Sequence, residues 1–268
     1  MTAVSHAAPS PTTEDDGSLS ASLHRTLVVL ATAAIAAQVL FVGGWLIGGA
    51  IEGHGYSAGR HDISDLTALT AHHATFNRAT LLVSGLLTAA FALWALRPSL
   101  TVPGRRMAVS AVLVAVSLPA LDNLSDAFFR LDCRAADAGC TSSVAASSWH
   151  GTIHIVAFVV AAIPTLVAPF ALSRRMRAVE GWSDLARPAR VFGVALLVAF
   201  VATAASQGSS AQGWTQRIAA TLAAFGVAAL AVRVLRLARP SRRATVAGVQ
   251  PGSPANHSVR TPGNSTRR

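Results

Sequence analysis

The stretch Leu27–Ala50, LVVLATAAIAAQVLFVGGWLIGGA, contains no charged residue and is almost continuously apolar. A helix rises about 1.5 Å per residue, so roughly 20 apolar residues are needed to cross the ~30 Å of hydrocarbon in a bilayer. Five further, largely apolar runs follow it: Ala79–Leu96, Met107–Phe128, Thr152–Leu172, Val191–Ser206 and Ile218–Leu235. We therefore predict an all-α, polytopic membrane protein built as a bundle of six transmembrane helices.

The overall composition excludes an ordinary soluble domain. Hydrophobic residues make up 52% of the chain, charged residues 13%, and the mean hydropathy is +0.47, whereas soluble domains carry about 25% charged residues. The net charge of +10 does not indicate nucleic acid binding, because the arginines lie at the ends of the apolar runs without a platform of aromatic and basic residues. The expected partners are membrane lipids, and the sequence does not indicate an oligomeric state.

The arginines also predict how the chain lies in the membrane. They concentrate after the second, fourth and sixth runs, where the chain has Arg97, Arg105 and Arg106; Arg174, Arg175, Arg177, Arg187 and Arg190; and Arg233, Arg236, Arg239, Arg242 and Arg243. The positive-inside rule then places both termini in the cytoplasm (N-in/C-in) and the other three connections outside. Arginine without lysine, in alanine-rich helices, is typical of high-GC bacteria, so we expect a multi-pass protein of a bacterial plasma membrane.

Composition divides the chain into three parts. Residues 1–24 are rich in Ser, Thr, Pro and acidic residues, residues 25–238 contain all six apolar runs, and residues 239–268 are rich in Pro, Ser, Gly and Arg. Segments of low hydrophobicity cannot bury enough apolar surface to fold. We predict two disordered cytoplasmic tails, at 1–24 and 239–268, on either side of the transmembrane domain.

The two cysteines, Cys133 and Cys140, lie in the connection between the third and fourth runs, which the arginines place outside. A pair at this spacing in an oxidising compartment predicts a disulfide. Closing so short a loop stabilises a protein by about 2–3 kcal/mol in the chain-entropy model. Two free thiols and a pair of metal ligands are the alternatives.

Polar and ionisable residues concentrate near the same three connections. Asp122 and Asp126 are four residues apart near the end of the third run and therefore share one face of a helix, and His150 and His154 open the fourth run with the same spacing. The predicted polar cluster contains these four residues together with Ser64, Asp65, Asp132 and Arg217. Acids in or beside a membrane span are costly, so they should face the bundle interior, a wet cavity or the interface.

One interpretation of this cluster is a zinc site. Two imidazoles at positions i and i+4 can bind one ion, with Asp126, Asp122 or Asp132 as the third ligand. The metal would acidify a bound water that attacks an ester or amide, and Ser64, Asp65 and Asp132 are the candidate catalytic residues. The H-x-x-x-H pattern has Gly151 where metalloproteases of the H-E-x-x-H type carry glutamate.

Two other interpretations need no metal. In the first, His150 lies at the head-group level beside Trp149, while His154 forms a hydrogen bond with an aspartate of the third helix and fixes the register of the two helices. In the second, the ionisable groups form part of a proton or ion pathway. The sequence alone leaves all three interpretations open.

Four short stretches stand out by their order and spacing. They are Gly55-Tyr56 with Ile63-Ser64-Asp65-Leu66, Phe129-Arg130-Leu131-Asp132, His150-Gly151-Thr152-Ile153-His154, and Trp214-Thr215-Gln216-Arg217-Ile218. Together with the six runs they resemble a bacterial and archaeal family known as domain of unknown function 998, over roughly residues 27–237. The resemblance implies a six-helix membrane bundle and no assigned activity. Arg130 stands where this family often has proline.

A more distant resemblance is to membrane metallohydrolases related to alkaline ceramidases, which also carry Ser, Asp and H-x-x-x-H at the outer ends of helices. Those enzymes have a seven-helix core and a Ser-x-x-x-His element, which this chain does not have at Ser64. This second resemblance is therefore an analogy between sites only.

Three functional classes follow from these observations. The sequence favours a structural or accessory membrane protein, in which the polar cluster holds the outer loops together. The first alternative is a metal-dependent hydrolase of lipid or envelope substrates. The second is a small-solute transporter, suggested by Pro119 in the third run and Pro164 and Pro169 in the fourth, which could interrupt helices. The largely Ala, Val and Leu inner halves of the runs count against a continuous polar path.

Overall fold

The computed structural model describes residues 14–53, 55–102 and 108–239. Six helical segments in this part of the chain are long and apolar enough to cross a membrane, and we call them the first to sixth spans: Ser22–Ile51, Ala74–Ser99, Val109–Phe128, Trp149–Met176, Ser183–Ala205 and Gln212–Ala238. No β-strand occurs among the described residues. The predicted all-α, six-span membrane bundle is therefore confirmed, and its surroundings are lipid.

The helices begin and end close to the predicted runs. The α-helices are Glu14–Ile51, Ala74–Phe91, Arg97–Ser99, Val109–Ala115, Asn123–Phe128, Ser142–Ala145, Trp149–Met176, Ala186–Ala205 and Gln212–Ala238, with π-helical turns at Ala92–Leu96 and Leu118–Asp122 and 3-10 turns at Ser64–Thr67 and Ser183–Leu185. The first helix already begins at Glu14, so residues 14–24 of the predicted N-terminal tail are helical. Residues 1–13 and 240–268, with most of both predicted tails, lie outside the described residues.

The bundle is held together by small residues at helix contacts. The first span packs against the second and the sixth, and the fourth packs against the third and the fifth. The main apolar core contains many fully buried alanines, among them Ala31, Ala34 and Ala95. In lipid, no hydrophobic force drives helices together. Small side chains let the helix backbones approach closely, and this close packing stabilises the contacts.

The third span is interrupted in its middle. Ser117 has an extended backbone (φ −88°, ψ 172°), and a π-helical turn with Pro119 follows. The backbone N–H of Leu118 donates to Oγ1 of Thr165 on the fourth span at 2.8 Å, which satisfies a group that the interruption frees. The fourth span continues unbroken through Pro164 and Pro169, so of the three prolines only Pro119 lies at a break.

Three connections, residues 52–73, 129–148 and 206–211, meet at one end of the bundle, which we call the polar end. Leu69 N–H donates to the carbonyl of Leu131 at 2.9 Å, and Trp214 N–H donates to the carbonyl of Gly59 at 3.2 Å. The predicted disulfide between Cys133 and Cys140 is present in the second of these connections.

Candidate functional site

A buried ion pair joins two connections at the polar end. Glu52, fully buried at the end of the first helix, accepts from Nη1 of Arg134 at 2.7 Å and from the backbone N–H of His72 at 2.9 Å. Arg134 also donates from Nη2 to Asp137 at 2.6 Å. Burial raises the pKa of Asp137, but its hydrogen bonds from Arg134 and Thr70 outweigh burial and hold that pKa below its usual value. This network fixes the disulfide loop onto the first span.

Arg217 fixes a second loop. Its Nη1 donates to the carbonyls of Ala58 at 2.6 Å and His61 at 2.8 Å, and its Nη2 donates to the hydroxyl of Tyr56. The guanidinium lies over the ring of Trp45, 5.4 Å from the ring centroid. Burial raises the pKa of Tyr56 to about 12 although Arg217 opposes the shift, so the hydroxyl remains a neutral partner.

Two candidate catalytic residues, Ser64 and Asp65, begin the 3-10 turn between the first two spans. Asp65 is only 2% exposed, and its Oδ2 has no hydrogen-bond partner. Burial raises the pKa of Asp65 to about 7, and the charges of Asp62 and Asp137 act in the same direction. Asp65 is therefore a buried carboxyl that titrates near neutral pH.

The third candidate, Asp132, stabilises the start of the fourth span. It accepts from the backbone N–H of Ser148 at 2.7 Å and from the hydroxyls of Ser147 at 2.9 Å and Ser148 at 2.5 Å. These hydrogen bonds, first that of the Ser148 side chain, lower the pKa of Asp132. Ser148 in turn accepts from Gly151 N–H at 3.2 Å and caps the helix.

The two histidines of H-x-x-x-H have different surroundings. The ring of His150 lies 3.7 Å from that of Trp149 and 5.8 Å from that of Phe129, between centroids. His154 instead turns into the bundle, where its Nδ1 lies 2.8 Å from Oδ1 of Asp126. Within residues 14–53, 55–102 and 108–239, no group of three or more His, Cys, Asp or Glu side chains is arranged to hold a metal ion.

Asp122, Asp126 and His154 form a buried cluster that we call the Asp–His site. Their exposed fractions are 9%, 7% and 4%. The spacing of the two aspartates brings both onto the face toward the fourth span, as the sequence predicts. Asp126 forms the ion pair with His154, whose Nδ1 also lies 3.3 Å from the carbonyl of Phe129. Neither Oδ1 of Asp122 nor Oδ1 of Asp126 has a hydrogen-bond partner, but Asp126 has the imidazole beside it.

Buried polar side chains continue from this site into the membrane. Asn123, next to Asp122, donates to Oγ of Ser84 at 3.3 Å. One turn further, Thr88 donates to the carbonyl of Ser84 at 2.7 Å, and Gln38 donates to Oγ1 of Thr88 at 2.8 Å. We call Asn123, Ser84, Thr88 and Gln38 the polar row. It ends at Gln38 Oε1, which is buried without a partner.

The polar row adds Thr88 and Gln38 to Ser84 among the polar groups of spans whose inner halves are largely Ala, Val and Leu. Thr88 lies on the second span, which begins at Ala74, and at about 1.5 Å per residue it is roughly 20 Å from the polar end. The signal in the sequence was the spacing of Thr80, Ser84 and Thr88 on one helix face. Glu52 and Arg134 were missed because their pairing joins distant segments.

Comparison with known proteins gives one match. A family model described as a protein of unknown function (DUF998) matches residues 35–233, which is most of the chain. No curated protein and no solved structure matches. The chain therefore belongs to the DUF998 family.

Proposed function

We propose that this member of the DUF998 family is a proton-linked membrane transporter whose proton-binding group is the Asp–His site. The observation that carries the proposal is the buried carboxylate of Asp122, unpartnered at Oδ1 beside the ion pair of Asp126 and His154. An ionisable group inside a transmembrane bundle is expensive and marks a functional site by default.

The charges of the Asp–His site favour binding of one proton. Two ionised aspartates and one imidazolium leave a single negative charge unbalanced in a buried place, and an uncompensated buried charge is strongly destabilising. A proton bound to the carboxylate of Asp122 removes this charge and leaves the ion pair of Asp126 and His154 intact. When this proton leaves, the unbalanced negative charge returns. The protonated and deprotonated states of Asp122 therefore differ in free energy at this point of the third span.

The interruption of the third span supports transport over a purely structural role. The π-helical turn Leu118–Asp122 directly follows the extended Ser117, and Asp122 is the last residue of that turn. Broken helices beside an ion site are typical of transporters, and π-turns are frequent at functional sites. The charge on Asp122 therefore lies where the backbone can change conformation with the least loss of helical hydrogen bonds.

The other two classes explain less of the structure. An accessory role accounts for the contacts of Arg134 and Arg217, which hold loops, but it gives no reason for a buried, unpartnered Asp122. A metal-dependent hydrolase, with zinc held by His150, His154 and an aspartate, requires both imidazoles at one point, whereas His150 packs on the rings of Trp149 and Phe129. We place the polar end outside the plasma membrane, on the positive-inside rule.

Voltage-driven proton uptake into proteoliposomes tests this function. A potassium gradient with valinomycin supplies the potential, and a fluorescent amine reports acidification of the lumen. We expect uptake by the wild type to exceed that by empty liposomes several-fold and to be lost in Asp122→Asn. The matched control is Asp184→Asn, because Asp184 is an exposed carboxylate at the start of the fifth span, where it pairs with Arg233.

Infrared spectroscopy tests proton binding separately from transport. Asp65 contributes one C=O band of a buried protonated carboxyl as pH falls. A second such band, unaffected by Asp65→Asn, should appear in the wild type and in Asp184→Asn and should be missing in Asp122→Asn. Proton uptake equal to that of empty liposomes would refute transport. Carboxyl bands identical in the wild type and in Asp122→Asn would refute the proton-binding role of Asp122.

A further inference from the structure

An apolar cavity of about 240 Å³ lies between the third, fourth, fifth and sixth spans. Each span contributes to its walls, for example through Val114, Leu172, Phe192 and Val227. The cavity is distinct from the Asp–His site, none of whose three residues lines it. An engineered apolar cavity of about 150 Å³ already suffices to bind benzene, so this one has room for a substantial apolar group.

The cavity lies beside the interruption of the third span. The break of the third span at Ser117 lies on one wall, and Pro169, Ala189 and Gly226 lie on the others. A Cβ at Gly226 would lie 2.7 Å from the ring of Phe192. The glycine therefore lets that ring pack closely against the backbone of the sixth span.

The walls contain two hydroxyl groups, and both are already hydrogen-bonded within the protein. Ser117 donates to the carbonyl of Val114 at 2.7 Å. Thr165 donates to the carbonyl of Ala161 at 2.7 Å and accepts from Leu118 N–H at 2.8 Å. Because an apolar cavity of this kind also does not hold water, its natural occupant is an apolar chain.

The cavity is continuous with the surface that faces lipid. Phe225, one of its lining residues, is 65% exposed. The fifth span, which forms one wall, is the least covered by protein, with 17% of its most apolar window buried. In a bilayer the groups next to this opening are phospholipid acyl chains, so they need no aqueous route to enter it.

We infer that this cavity is a binding site for an acyl chain of a membrane phospholipid. The bound chain replaces the packing that the broken third span leaves out, and it contacts the break at Ser117 directly. The binding energy comes from dispersion contacts between the acyl chain and the apolar walls, which mobile lipid then no longer contacts. This inference is independent of proton binding at the Asp–His site.

Photo-cross-linking tests the inference. The full chain is placed in nanodiscs with a phosphatidylcholine that carries a diazirine in its acyl chain, and the cross-linked residues are mapped by mass spectrometry. We expect cross-links at cavity residues to exceed, at least five-fold, those at Val39 of the first span and Val159 of the fourth, which are exposed residues outside the cavity lining. Equal labelling of all these positions would indicate only annular lipid and would overturn the inference.

Two filling variants and one control complete the test. Ala229→Leu and, independently, Ala189→Leu, both at lining residues, should each reduce the cavity cross-links about ten-fold and leave those at Val39 unchanged. Gly43→Leu is the control, because nothing lies within 4 Å of a Cβ at Gly43, and it should have no effect. Cavity cross-links that persist in whichever filling variant folds would also overturn the inference.

Discussion

Asp65 shows how a single buried carboxyl makes stability depend on pH. Its pKa is raised to about 7 in the folded protein from 3.8, first by burial. The folded state thus binds this proton more tightly than the unfolded chain, and the resulting stability is fully present below about pH 4 and is lost as pH rises to about 7. Replacing Asp65 with Asn removes the titrating group and should flatten this dependence.

Melting temperatures in detergent between pH 4.5 and 8 measure the effect. We expect the wild type to lose stability relative to Asp65→Asn as pH rises, so that the variant is the more stable protein at pH 8. Asp184→Asn, at an exposed carboxyl, should parallel the wild type throughout. A constant difference between wild type and Asp65→Asn across this range would contradict the raised pKa.

Glu52 and Arg134 give a second prediction at the scale of residues. Removing one partner of a buried ion pair leaves an unpaired buried charge and costs about 3–5 kcal/mol, and Glu52 is fully buried against Arg134 at 2.7 Å. We expect Arg134→Met, which leaves the buried Glu52 without its cation, to lower the free energy of unfolding by about this amount. Glu52→Gln should cost less, because Asp137 still pairs with Arg134. The double variant Glu52→Gln/Arg134→Met should lose less than the sum of the two single losses, whereas strict additivity would show that the pair is not coupled.

These residues also show which part of the candidate site was predictable. The i, i+4 spacing correctly brought Asp122 and Asp126 onto one face, because helix geometry is local. The same spacing of His150 and His154 left their surroundings open, and one of the three interpretations, with His150 beside Trp149 and His154 paired with an aspartate of the third helix, agrees with the contacts. Contacts between distant segments, such as Glu52 with Arg134, leave no periodic signal in a sequence.

At the scale of helices, the second span approaches the break of the third span over a glycine. A Cβ added at Gly85 would lie 2.9 Å from the carbonyl oxygen of Ala120 and 3.0 Å from the backbone nitrogen of Leu124. Backbone cannot move aside as a flexible side chain does, and overpacking of this kind costs about 1–3 kcal/mol. Gly85→Ala should therefore lower the melting temperature, while Gly43→Ala, which meets nothing within 4 Å, should not.

The same variant pair connects helix packing to the Asp–His site. Because Ala120 and Leu124 lie on either side of Asp122, pressure at Gly85 should also displace that carboxyl. The infrared carboxyl band of Asp122 should then shift in Gly85→Ala and stay in place in Gly43→Ala. An unchanged melting temperature in Gly85→Ala would mean that the third span moves away at little cost.

The apolar runs predicted the six spans because hydrocarbon thickness imposes one length on every helix that crosses it. In the sequence, Pro119 was the only sign of the interruption of the third span. The sequence did not show which of the three prolines in the runs would break its helix. Their effects differ because Thr165 offers a hydroxyl to the N–H freed beside Pro119. The polar row escaped notice because averaging over a run conceals a few polar residues on one face.

At the scale of the whole molecule, the two ends of the bundle differ in charge. The polar end carries Glu52, Asp62, Asp65, Asp132 and Asp137 together with Arg60, Arg130, Arg134 and Arg217. At the opposite end, Arg174, Arg175, Arg177 and Arg187 lie in or beside the connection between the fourth and fifth spans, where Glu180 and Asp184 are the acids. Since arginines near span ends are retained on the cytoplasmic side, this asymmetry predicts that the polar end faces outward.

Cysteine labelling in intact cells measures this orientation. Ser210→Cys places an exposed thiol at the polar end, and Glu180→Cys places one at the opposite end. Both native cysteines are bonded to each other, so a membrane-impermeant maleimide reads only the new thiol. We expect Ser210→Cys to react in intact cells and Glu180→Cys to react only after permeabilisation. The reverse result would place the Asp–His site on the cytoplasmic side, and protons would then reach Asp122 from within the cell.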